Sequence, residues 1–210
     1  MSRKNLILII IFFFFIFSGI FYFKWKSFQK ASRMTSCAKE GERVNRNPLI
    51  GSIDQKCCQG LMEVRESKSY SVCKRAQKIL LYYYNPEKDK DETGNIKCSR
   101  DGLVALERQI PVSQTPIRDT IELLLKGKEN LTESDLTKGI TTEFPLEGFE
   151  LKSLNLKEDG TLILEFKDPL NKTIGGACRV SILWFQIEAT AKQFPQVKKV
   201  QFLPEVLFQP

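Results

Sequence analysis

The 210-residue chain contains no histidine. That absence removes the Ser-His-Asp and Cys-His triads, the imidazole general base and every zinc site built on imidazole. No C-x-x-C redox pair is present, and Lys126-Gly127-Lys128 lacks the spacing of a phosphate-binding loop. Carboxylates, lysines and thiols are what remain for chemistry. A basic surface is also missing from most of the chain. Of the 32 lysines and arginines, Arg3, Lys4, Lys24, Lys26, Lys30 and Arg33 lie in the first 36 residues, which hold no acid. Without these six, 26 basic residues face 25 acidic ones. A nucleic-acid footprint needs an excess of positive charge on the folded part, so no nucleic-acid partner is expected.

What is present begins with Leu6–Phe23, an unbroken run of 18 residues without a charge, nearly all of them apolar. As a helix it covers about 27 Å, close to the bilayer hydrocarbon thickness. Tyr22 and Trp25 stand at its far end, where amphipathic rings favour the membrane interface. No small-x-small cleavage site adjoins the run, and four basic residues separate it from Thr35-Ser36-Cys37. Residues 6–23 are therefore expected to be an uncleaved signal anchor in the lipid bilayer, with 1–5 a short cytoplasmic N-terminus. The four basic residues after the span favour a cytoplasmic C-terminal part by the positive-inside rule, and the cysteines favour the opposite.

Six cysteines in a chain with a targeting segment point to disulfides in an oxidising compartment. A four-cysteine zinc site is a poor fit, because Cys57 and Cys58 are adjacent and their side chains diverge. Adjacent cysteines rarely bond each other. Cys57 and Cys58 are thus each expected to pair with Cys37 or Cys73, in an order left open, and Cys98 with Cys178. Neither a metal nor a cofactor is expected.

Residues 24–78 divide into a basic stalk and a cysteine-rich stretch with few apolar runs, expected to be loop-like and held by its disulfides. From Ile79 the pattern is that of a packed domain, 79–210. Residues 79–84 read as a strand ended by Asn85-Pro86, and 104–110 as a second strand stopped by Pro111. Thr115-Pro116 opens a helix striped by Ile117, Ile121, Leu124 and Leu125 and stopped by Gly127. Thr132–Asp135 could start a further short helix. Residues 149–156 and 161–166 form a hairpin around Lys157–Gly160. Gly175-Gly176 precedes a helix carrying Val180, Leu183, Trp184, Ile187, Ala191 and Phe194, with Pro195 as its end and 197–202 as a last strand. Core packing is the expected role of Trp184. The order β-β-α-β-β-α-β predicts an α+β fold with helices on one sheet face.

Separated segments from Ile79 to Pro210 resemble one known family. They are LLYYYNP, VALERQIP, TPIRDTIELLLKG, TTEFPLEGFELKSLNLKEDGTLILEF and GGACRVSILWFQIEATAKQFPQVKKVQFLPE. Together these are similar to the GerMN domain of sporulation and spore germination proteins, and the C-terminal LFQP looks like a tail of such domains. The resemblance implies a ring-building-motif type of fold, a location outside the cytoplasmic membrane and a binding or assembly role without catalytic residues. It does not cover the cysteine-rich segment.

The expectation is thus a single-pass cell-envelope protein with an extracytoplasmic C-terminal domain. Its GerMN-like module would contact an envelope protein or associate with itself. A second reading is a peptidoglycan-binding module using Tyr82, Tyr83, Tyr84 and Arg179 as aromatic and cationic contacts. A third is a cell-wall hydrolase using two carboxylates, drawn from Glu107, Glu122, Glu143, Glu165, Asp168 and Glu188.

Overall fold

The computed structural model describes residues 37–45 and 56–209. The anchor expected at 6–23 lies outside them, and no helix among the described residues is long and apolar enough to cross a membrane. The chain divides into two compact units between Arg75 and Ala76.

In the first unit, β1 (Arg43–Asn45) and β2 (Leu61–Arg65) flank the opening of β3 (Tyr70–Tyr84), both antiparallel to it. The expectation of a loop-like segment followed by a strand at Ile79 is corrected here: β3 starts nine residues earlier. Its opening is hard to read because the inward positions are Ser71 and Cys73, both fully buried, which carry little hydropathy. Ala38, Val44 and Cys73 form the small core. Cys37 bonds Cys58 and Cys57 bonds Cys73, so the adjacent cysteines diverge to two partners. A core this small needs such staples.

In the second unit, the rest of β3 pairs with β4 (Leu103–Pro111) from Ala76↔Pro111 to Tyr84↔Leu103. Helix α1 (Pro116–Leu125) follows. Thr115 occupies its N-cap position without a side-chain capping bond, and its hydroxyl donates instead to Asp119 (3.3 Å). The short helix α2 (Glu133–Thr137) starts with a capping box in which Thr132 and Asp135 satisfy each other's backbone N–H. Next come β5 (Glu150–Leu156), β6 (Thr161–Lys167), α3 (Ala177–Lys192) and β7 (Lys199–Leu203). β5 is antiparallel and β7 parallel to β6, so α3 is the crossover that a parallel pair requires.

The strands form two sheets rather than one, with β5-β6-β7 separate from the β3–β4 ribbon. Backbone accounting gives the reason. The edge of β3 opposite β4 is already occupied. Leu80 N–H donates to Gln193 Oε1 and Leu80 O accepts from Gln193 Nε2, both at 2.7 Å. Tyr82 N–H donates to Thr190 Oγ1 (3.0 Å), and Tyr84 exchanges two backbone bonds with Thr141. Side chains from the end of α3 thus stand where a further strand would pair. Gln193→Ala is expected to cost about 2 kcal/mol in urea unfolding, because it orphans a donor and an acceptor of Leu80. Unchanged stability and unchanged exchange of the Leu80 amide would refute the assignment.

The core gathers Ile79, Leu81 and Tyr83 of β3, Ile121 and Leu124 of α1, Leu162, Leu164 and Phe166 of β6, and Val180, Leu183 and Ile187 of α3. A run of phenylalanines crosses it. Phe149 stacks on Phe166 at 4.7 Å, and Phe208 meets Phe202 edge-on at 5.2 Å. The C-terminal Leu207 and Phe208 are therefore core residues, 5% and 3% exposed.

Candidate interaction surface

Burial separates the three tyrosines proposed as contacts. Tyr83 is fully buried and Tyr84 nearly so. The Tyr84 hydroxyl donates to Asp89, and burial together with that carboxylate raises its pKa. Tyr83 lies in the core, with its hydroxyl toward Gly127 O (3.5 Å). Both are thereby withdrawn from any surface ligand, which corrects their reading as binding residues. Tyr82 alone is half-buried, opposite the exposed Ala105. Arg179 is engaged as well: its Nε donates to Glu143 (2.6 Å) and its Nη1 to Ile174 O (2.9 Å), so it holds the turn before α3.

The acids are similarly committed. Glu107 pairs with Lys78 (2.9 Å), Glu122 with Arg118 (3.0 Å), Glu165 with Lys152 (2.6 Å), and Glu188 with Arg100 and Lys192. Asp168 accepts from Lys172 N, Thr173 N and Thr173 Oγ1 within its own loop. No group of three metal-binding side chains occurs among the described residues.

Asp89, in the loop between β3 and β4, is a buried carboxylate. It is fully buried and accepts from the Tyr84 hydroxyl and from the N–H and hydroxyl of Ser99, with Lys97 Nζ 3.9 Å away. Burial alone would raise its pKa. The Ser99 and Tyr84 bonds and the Lys97 charge outweigh that and hold it below the usual carboxylate range. Gly102 makes room for this cluster, since a Cβ there would lie 2.3 Å from the Tyr84 ring. A depressed folded pKa gives stability that is present above the unfolded value, near 4, and lost as pH falls through the folded one. Asp135 and Asp168 are depressed too, their hydrogen bonds and neighbouring cations overcoming burial. The protein is therefore expected to lose stability below about pH 4. Asp89→Asn should flatten that limb in urea unfolding at pH 7 and pH 3; an unchanged slope would show that Asp89 does not contribute.

One open groove among the described residues, of about 260 Å³, is lined by Trp184, Val200, Phe202 and Leu207, with Gln201, Glu205 and Gln209 also in its wall; two others lie beside Ile117 and Leu154 and beside Leu125 and Phe149. Trp184 packs edge-on against Phe202 at 5.2 Å and is partly buried against the core, so core packing describes one side of its ring. Its Nε1–H is buried without a hydrogen-bond partner. The helical spacing gave the inward stripe of α3 but not the groove, which β7 and the tail complete.

Comparison with known proteins adds a family. The sporulation and spore germination family, Germane, matches residues 80–205. The chain is similar to the solved tandem GerMN domains of the sporulation protein GerM from Bacillus subtilis, at 20% identity over 62% of this chain and 40% of that one, with a TM-score of 0.43. It is also similar to the first GerMN domain of that protein, at 19% identity over 59% of this chain and 80% of that one, with a TM-score of 0.40. This chain thus spans less than half of the tandem structure. No protein among those of curated function matches.

Proposed function

Since the chain belongs to the Germane family of sporulation and spore germination proteins, we propose that it is a non-catalytic cell-envelope protein whose GerMN-like domain makes protein–protein contacts near the cell wall. The anchor read at 6–23 would hold it in the membrane, with the C-terminal domain on the outer side. One observation carries this reading: all six cysteines are in disulfides and none is free. Such a state persists in oxidising compartments and is rare in the cytosol.

Against the hydrolase reading stands the state of the acids. A general acid needs a raised pKa, whereas every described carboxyl with a resolved shift, from Asp89 to Glu188, moves down. Against the glycan reading stand the burial of Tyr83 and Tyr84 and the pairing of Arg179. The open apolar groove favours a protein partner.

Differential alkylation of the cysteines in native membranes, with in-cell cross-linking, tests the proposal. Six thiols blocked until reduction and a cross-linked envelope protein or second copy are expected. Six free thiols would place the domain on the cytoplasmic side and sink the localisation. A chain with no cross-linked partner would sink the contact role.

A further inference from the structure

We propose that the outer edge of β7 is a self-association site, where a second copy of this chain adds its own β7 antiparallel across a two-fold axis. This deepens the protein-contact reading above and rests on it. β7 is the terminal strand of the order β5-β6-β7. Its pairing with β6 leaves the other edge without a backbone partner among the described residues. Such an edge is a template for another strand.

The edges of β5 and β4 are less suited. β5 carries a register shift between Leu151 and Ser153, and such irregularities interrupt pairing. On β4, the Arg108 guanidinium donates to the carbonyl of Glu107 (2.9 Å). β7 has neither obstacle. It runs beside the groove of Trp184, Val200, Phe202 and Leu207, so an added strand would cover apolar surface as well as bond the backbone.

Charge selects the occupant and its direction. The strand is entered through Lys198 and Lys199 and followed at once by Pro204 and Glu205. Lys198 and Glu205 form no salt bridge among the described residues, and Lys199 has only the exposed Asp159 carboxylate as an electrostatic neighbour, with no direct contact to it. An antiparallel, two-fold arrangement sets the lysine end of each copy against Glu205 of the other, twice. A parallel arrangement would set lysine against lysine and glutamate against glutamate, which is repulsive. The edge is therefore self-complementary in one direction only, as an isologous interface requires. Five residues of strand make a small contact, so the association is reversible and concentration-dependent.

The test is sedimentation of the full chain in detergent over a concentration series. The wild type is expected to dimerise. Lys199→Glu and Glu205→Lys, each checked for native circular dichroism, should raise the dissociation constant at least about tenfold. Mixed in equal amounts, the two variants should recover dimerisation, because both charge pairs are then opposite again. A wild type that stays monomeric at every concentration overturns the proposal. So does a dimer that both substitutions leave intact, although the protein-contact reading then stands through another surface. Loss of that broader reading needs the separate result that no partner is cross-linked in cells.

Discussion

Removing the Cys98–Cys178 bridge as a double serine variant is expected to lower stability by about 4 kcal/mol. The bond closes a loop of 80 residues, and the entropy a crosslink removes from the unfolded chain grows with loop length. Cys37–Cys58 and Cys57–Cys73 span only 21 and 16 residues, so each is worth about 3 kcal/mol by the same relation. The longer bridge also has a local task. Helix α3 has Gly176 at its N-cap position, so no side-chain cap, and no acid in its first turn, and the cation Arg179 sits where the helix dipole disfavours it. Cys178, in that turn, ties the helix start to the loop carrying the Asp89 cluster. Serines at both positions avoid thiol reshuffling, and Cys178 is exposed, so the substitution buries no new polar group there. Urea unfolding measures the loss, and exchange of the first-turn amides should rise before global unfolding. A change below about 1 kcal/mol would mean that the unfolded chain is already compact in this region.

Gly127→Ala is expected to cost about 3–5 kcal/mol, combining overpacking with a strained backbone. Gly127 has φ +54°. A Cβ there would stand 1.9 Å from the carbonyl oxygen of Phe144. That oxygen cannot retreat cheaply, because it accepts from Lys128 N–H at 3.0 Å, and Phe144 itself is fully buried. The methyl group must therefore push apart the turn after α1 and the segment entering β5, beneath which Tyr83 is packed. Urea unfolding checks the size of the effect. A loss under about 1 kcal/mol would show that the Phe144 segment yields, contrary to the close packing of protein interiors. The sequence pattern gave Gly127 only as a helix stop; the contact with Phe144 needed the fold.

Legibility followed the physics of each element. The helix around Ile117, Ile121 and Leu124 and the stripe of Val180, Leu183, Ile187 and Ala191 were readable because one apolar face recurs at helical spacing. The hairpin around Lys157–Gly160 was readable from alternation and turn chemistry. The opening of β3 was not, because Ser71 and Cys73 bury small side chains that carry no hydropathic signal. Asp89 was not, because a buried carboxylate looks in sequence like any loop acid until Tyr84, Ser99 and Lys97 converge on it. Within the tyrosine triplet alternation accounts for the inward Tyr83, but not for Tyr84, which the buried Asp89 draws in from the other face.

By itself the sequence determined the family, the order of strands and helices from Ile79 onward, the exclusion of imidazole chemistry and the cysteine bridges up to one choice. These follow from residue type and spacing, which are local quantities. Tertiary structure decided that Cys57 takes Cys73 while Cys58 takes Cys37. It also decided that the strands form two sheets, that Leu207 and Phe208 close the core, and that β7 is left with an open edge beside Trp184. Each of those outcomes depends on which distant groups satisfy a backbone edge or fill a cavity. The Gln193 amide bonded to Leu80 across 113 residues of chain shows why no local pattern could supply them.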